Sequence, residues 1–152
     1  MSLATATTEL VDLPQGDPRW SAALPVLQQL RLHLTEQLLD EVLAEGAPQG
    51  LRFLGAFRHD ECLGVAGWRI VANTSSGRKL YVDDLVTAQD ARSRGTGALL
   101  LGELAARARE AGCHVLDLDS GVQRHEAHRF YLRERMVINA HHFSLPLDEQ
   151  RD

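Results

Sequence analysis

Apolar residues along the chain change period several times, and each change marks an element. Thr8-Glu9-Leu10-Val11-Asp12-Leu13 reads as a first strand, which Pro14-Gln15-Gly16-Asp17-Pro18 breaks. Leu24, Leu27, Leu30 and Leu34, then Leu38, Leu39, Val42 and Leu43, recur at helical spacing. They predict one or two helices ending near Gly46. Residues 51–57 and 62–71 read as strands, and Arg58-His59-Asp60-Glu61 as the hairpin turn between them. Asn73-Thr74-Ser75-Ser76-Gly77 is the next turn, and Lys79 to Thr87 a third strand of the meander.

Gly97 to Ala111 carries the strongest helical pattern, with Ala98, Leu101, Leu104, Ala105 and Ala108 on one face. Glu103 and Arg107 can pair outside at i,i+4, and Gly112 can cap the end. His114 to Ser120 predicts a strand, 126–135 a short helix and Val137 to Leu147 a final strand. The order β-α-α-β-β-β-α-β-α-β predicts an α/β fold of the α+β kind: a mixed, mostly antiparallel sheet flanked by helices. We expect one domain over 8–147, with residues 1–7 a disordered tail or expression remnant and 148–152 a tail.

The junction of strand and helix is the most informative place. Asp84-Leu85-Val86-Thr87 runs through a turn carrying Arg92-x-x-Gly95-x-Gly97 straight into the best helix. Glycines let a ligand approach the backbone closely. The free N–H groups and positive dipole end of a helix N-terminus favour an anion such as a phosphate. A nucleoside-triphosphate loop would need Gly-x4-Gly-Lys followed by Ser or Thr, which is absent. The dinucleotide fingerprint needs a third glycine where Leu100 stands.

Arg92-x-x-Gly95-x-Gly97 after a strand resembles the acyl-CoA pyrophosphate loop of the GCN5-related N-acetyltransferase (GNAT) family. Glu126-Ala127-His128-Arg129-Phe130-Tyr131 resembles the same family's later aromatic helix, and Val115 to Ser120 is the strand between. The resemblance covers about residues 50–147. The chain departs from it at Arg124, where asparagine is frequent, and at Arg135-Met136, where Gly-Phe is frequent.

The resemblance implies a GNAT-like fold, acetyl-CoA as cofactor and transfer of its acetyl group to an amine of a small molecule or peptide by direct attack. It implies that Leu85, Val86 and Thr87 pair with the pantetheine arm. Arg92, Ser93, Arg94, Gly95, Thr96, Gly97 and Ala98 would hold the pyrophosphate, with Arg94 able to add a charged contact. Tyr131 becomes the candidate general acid for the leaving thiolate. Asp83 becomes the candidate base for the amine. Strand alternation sends Asp83 to one face and Asp84 to the other, where Asp84 would be structural. The alternative is a non-catalytic acyl-CoA-binding or sensor domain.

A chain of 152 residues can bury one sizeable core. A net charge of −5 argues against nucleic acid as ligand and suits a cationic acceptor or an ordinary acidic protein. No apolar run is long enough to span a bilayer and no signal peptide is visible, so a cytoplasmic protein without a membrane is expected. Cys62 and Cys113 are expected to be reduced thiols, and neither sits where a nucleophile is needed. Of the 7 histidines, His125 with His128 and His141 with His142 are close in sequence, but no ligand set completes a metal site. A homodimer is left open, as is the identity of the amine.

Overall fold

The computed structural model describes residues 7–92 and 94–148. The chain forms two compact units, one up to Leu118 and one from Asp119.

The first unit is built on a five-stranded sheet in the order β1-β2-β3-β4-β5. The strands are β1 (Glu9–Asp12), β2 (Arg52–Arg58), β3 (Glu61–Asn73), β4 (Gly77–Thr87) and β5 (Val115–Leu118). The first four pair antiparallel and β5 lies parallel to β4. His59 and Asp60 turn β2 into β3, with His59 at a positive φ of 54°. Asn73 turns β3 into β4, its side chain accepting from the Ser76 N–H at 2.8 Å. A parallel partner needs a crossover, which α3 (Thr96–Glu110) supplies between β4 and β5.

The leucine pattern over 24–43 resolves into two helices, α1 (Trp20–Leu30) and α2 (Glu36–Gly46). The break is set by Thr35, whose hydroxyl accepts from the Leu38 N–H at 3.1 Å and so caps α2. Trp20 of α1 meets Phe53 of β2 edge-on at 5.3 Å, which fixes the face of the sheet that α1 covers. The opposite face takes α3: a methyl group on Gly64 of β3 would strike Leu100 and Thr96. Leu54, Leu80, Leu100 and Leu104 are fully buried. The buried stripe of α3 is Thr96, Leu100, Leu101, Leu104 and Ala108. Leu100 therefore replaces the expected Ala98, which is exposed. Glu103 and Arg107 pair at 3.5 Å as their spacing predicts.

The second unit holds α4 (His125–Arg133). Residues 137–147, expected as a last strand, form none. Alternation fails there, because Val137 stands beside Ile138, His141 beside His142, and Pro146 has no N–H to donate. A strand is held by a paired neighbour, and composition alone does not supply one. The fold is otherwise the mixed, mostly antiparallel sheet with flanking helices that the pattern predicts.

Candidate active site

β4 changes neighbours along its length. It pairs with β3 from Gly77 to Thr87, but with β5 only over Lys79 to Val82. From Asp83 to Thr87, among the described residues, one edge of β4 has no strand beside it. The opening starts at an irregularity. Gly67 pairs with Asp84 and Trp68 with Val82, so Asp83 is an extra residue and β4 bulges.

The bulge corrects the expected alternation. Paired residues of an antiparallel ladder share a face, so Asp84 lies on the side of Gly67 and Arg69. Asp83 reaches that side too, because Arg69 forks it: Nε donates to Oδ2 and Nη2 to Oδ1, each at 3.0 Å. Both carboxylates therefore stand on one face of the sheet, the face covered by α1.

Each acid has its own arginine. Arg31, at the C-terminal end of α1, donates from Nε to Asp84 Oδ1 at 2.7 Å, with Nη2 2.6 Å from the same oxygen. Its Nη2 also donates to the Asp83 carbonyl at 2.9 Å. Arg69 Nη1 reaches Gln49 Oε1 at 3.3 Å. The Asp84 side chain is 13% exposed against 44% for Arg31, so the acid lies inside and the cation outside. Burial raises the Asp84 carboxyl above its ordinary value, with the Asp83 charge adding to the rise. Arg31, and more weakly Arg69, pull it back down. Arg31, Arg69 and Gln49 carry no sequence motif. Arg69 could have been placed by alternation along β3, whereas Arg31 had no local signal.

Beyond the bulge, Leu85 and Val86 are buried and Thr87 is half-buried. A short 3-10 turn at Gln89–Ala91 leads to Arg92, which is extended and exposed. Ser93 lies outside the described residues. Arg94 is exposed, and Gly95 takes a left-handed φ of 81° immediately before α3. Thr96 is buried, Gly97 half-buried and Ala98 exposed. Among the described residues no side chain caps α3. The start of α3 thus has no capping side chain among the described residues and follows two exposed arginines in sequence, which suits a bound phosphate. A methyl group on Gly95 would meet nothing within 4 Å, so the backbone there is approachable. An open strand edge followed by an uncapped helix N-terminus fits an elongated ligand with a phosphate group.

In the second unit, Tyr131 lies on α4 edge-on to Phe130 at 5.4 Å. Burial raises the phenol above its ordinary value, while the positive charge of Arg124 works against the rise. The phenol is therefore neutral and able to donate a proton. Arg124 holds the position before α4 without a side-chain capping bond. Arg135 adopts a left-handed φ of 68°, the conformation glycine holds most easily after a helix.

The remaining candidates are accounted for by their surroundings. Burial pushes the Cys62 thiol up to about 11, and its sulfur donates to the Gly64 carbonyl at 3.4 Å, so it is a poor nucleophile. Cys113 is half-buried and not in a disulfide. The ring of His128 bonds the Gly121 carbonyl at 2.8 Å, and His142 lies 3.5 Å from Asp119. Among the described residues no three His, Cys, Asp or Glu side chains gather as a metal site. Trp68 packs under the Arg107 guanidinium at 5.7 Å, on the face opposite the two acids. No helix among the described residues is long and apolar enough to cross a membrane.

Residues 16–135 match the Acetyltransferase (GNAT) family. An uncharacterized N-acetyltransferase of Bacillus subtilis, YhdJ, is 31% identical over 113 residues, 74% of this chain and 80% of that protein. The aminoalkylphosphonate N-acetyltransferase of Salmonella typhimurium is 38% identical over a shorter stretch, 35% of this chain and 34% of its own. Among solved structures, a putative acetyltransferase from Agrobacterium tumefaciens superposes with a TM-score of 0.77 at 25% identity, covering 91% of this chain and 99% of that one. An aminoglycoside N-acetyltransferase solved with CoA shares the fold at a TM-score of 0.80 and 12% identity, covering 96% and 98%. The chain belongs to the acetyltransferase (GNAT) family and is an N-acetyltransferase.

Proposed function

We propose that the enzyme takes acetyl-CoA and acetylates the amine of a small molecule or peptide by direct attack. The observation that carries this reading is the unpaired edge of β4 from Asp83 to Thr87, running into the uncapped start of α3. Leu85, Val86 and Thr87 offer backbone groups to an arm laid along that edge. Arg92 through Ala98 offer N–H groups and positive charge to a pyrophosphate. When bound, acetyl-CoA supplies an acetyl thioester already activated for attack by a neutral amine. The family match crosses the division at Leu118, so we take 8–147 as one acetyltransferase domain.

Asp83, expected to be the base, shares one sheet face with Asp84, and this reading puts both acids at the acceptor amine. We assign the proton-accepting role to Asp84, which lies inside its pair with Arg31 and whose carboxyl burial raises above its ordinary value. Asp83, with both oxygens engaged by Arg69, contributes a fixed negative charge. Tyr131 donates the proton that the departing sulfur needs. Small amines as acceptors agree with the aminoglycoside and aminoalkylphosphonate named for the similar enzymes.

The test is calorimetry with acetyl-CoA on the wild-type chain and Gly97→Val, followed by free-thiol release across polyamines, aminoglycosides, amino acids and peptides. Binding weakened tenfold or more by the valine, with turnover on at least one amine, supports the reading. Binding indifferent to the valine removes the loop from it, and binding without turnover on any amine removes the chemistry.

A further inference from the structure

We infer that Arg31 is a positioning residue for acetyl transfer, tying the end of α1 to the β4 bulge by gripping the Asp84 carboxylate and the Asp83 carbonyl with one guanidinium. The inference rests on the acceptor amine meeting the acids at this bulge. Three observations carry it. First, the contacts converge: Nε and Nη2 lie 2.7 and 2.6 Å from Asp84 Oδ1, and Nη2 donates to the Asp83 oxygen at 2.9 Å. Second, Asp83 is the extra residue of the bulge, so its carbonyl belongs to the part of β4 whose path the β3 ladder does not set. Third, the pairing of β5 stops at Val82, so beyond it no strand among the described residues steadies β4 from that side. An arginine reaching across from α1 supplies the missing restraint.

Arg31 follows the last turn of α1, and its own N–H still bonds the Leu27 carbonyl. The side chain thus springs from a backbone held by a helix whose Trp20, Ala23, Val26 and Leu27 are buried. A planar guanidinium can satisfy a carboxylate and a carbonyl together in a fixed fork, which an ammonium on a flexible stem does less well. The other charged groups around Asp84 are Asp83 and Arg69, and Arg69 is already spent on Asp83 and Gln49. Arg31 is therefore the cation that sets both where Asp84 stands and how readily it holds a proton.

The experiment compares wild-type enzyme with Arg31→Met and Arg31→Lys. It follows acetyl-CoA affinity by calorimetry, kcat and KM on the best acceptor, the pH profile of kcat/KM, and thermal melting. We expect acetyl-CoA affinity to hold in both variants. In Arg31→Met turnover should fall on the order of 10²-fold, the loss that a misplacement of about 1 Å can bring. Its acidic limb should move to higher pH, because Asp84 loses the cation that favours its charged form. Arg31→Lys should recover part of the turnover and return the limb toward the wild-type position. A folded Met variant with wild-type turnover and an unmoved limb overturns the inference. If the Met variant does not fold, a Lys variant kinetically identical to wild type overturns it, while a slowed Lys variant with a displaced limb supports it. Failure of the underlying reading looks different, because the wild-type enzyme would then bind no acetyl-CoA or would turn over no amine.

Discussion

Gly67 stands opposite Asp84 across β3 and β4, so near that a methyl group on Gly67 would lie 3.0 Å from Asp84 Oδ2. The same methyl would press to 2.7 Å from Cε1 of Phe53, whose ring is held edge-on by Trp20. Glycine here makes room for an acid and an aromatic ring on one sheet face. Gly67→Ala should therefore destabilise the fold by about 1–3 kcal/mol, the usual cost of overpacking, and should slow turnover by moving Asp84. The opposing gain from removing a strand glycine, about 0.5–1 kcal/mol, is smaller. A urea midpoint at or above that of wild type would show that Phe53 yields freely.

Asp84 also sets a pH dependence. Its folded pKa lies above the ordinary 3.8, so the native state binds this proton more tightly than the unfolded chain. The contribution of this group to stability accordingly falls as pH rises from about 3.8 through the folded pKa, and is level above it. Asp84→Asn keeps the shape and removes the cost of burying a charge, while Arg31, half in solvent, keeps its hydration. Calorimetric melting at neutral pH should give an Asn variant as stable as wild type or more so, with activity lost. A large drop in melting temperature would show that the ion pair outweighs the burial cost.

The two acids should separate in their pH–rate profiles. Asp84→Asn should abolish the acidic limb of kcat/KM, as loss of a proton acceptor does. Asp83→Asn should leave the limb in place and raise KM for the acceptor, as loss of a fixed charge does. A limb that follows Asp83 instead would return the proton-accepting role to that residue.

Gly95 tests the loop backbone apart from its space. Nothing would crowd a methyl group there, but φ is 81°. Gly95→Ala should cost about 1–2 kcal/mol from the left-handed backbone alone. Acetyl-CoA affinity should fall as the turn relaxes, read by calorimetry on protein shown to be folded. Full stability together with full affinity would mean that this conformation is not needed.

Tyr131→Phe keeps the ring that packs on Phe130 and removes only the hydroxyl. General acid catalysis is worth roughly 10² to 10⁴-fold, so kcat should fall within that range with acetyl-CoA affinity unchanged. Wild-type turnover, under conditions where the chemical step limits the rate, would exclude Tyr131 as the proton donor.

Much of this protein is local and so was legible in the chain. Apolar spacing marked the helical stretch that holds α1 and α2, and α3 as well, because a helix shows its buried face every three or four residues. The Arg92-x-x-Gly95-x-Gly97 turn announced an approachable backbone and a helix start, because those demands fall on particular residues. The rest depended on partners distant in sequence. Alternation parted Asp83 from Asp84, yet a bulge opposite Gly67 and Trp68 returned them to one face. A bulge arises from pairing between strands, and neither strand's own pattern records it. Arg31 lies 53 positions from Asp84 and reached it only through the packing of α1 on the sheet. Val137 to Leu147 has the composition of a strand, but a strand exists only where another backbone bonds it, and no rule of composition supplies that neighbour. The sequence by itself determined the helices and the glycine turn that opens α3, since these follow from each residue's own backbone and side chain. Tertiary structure alone decided which charges meet, because that requires the chain to be folded upon itself.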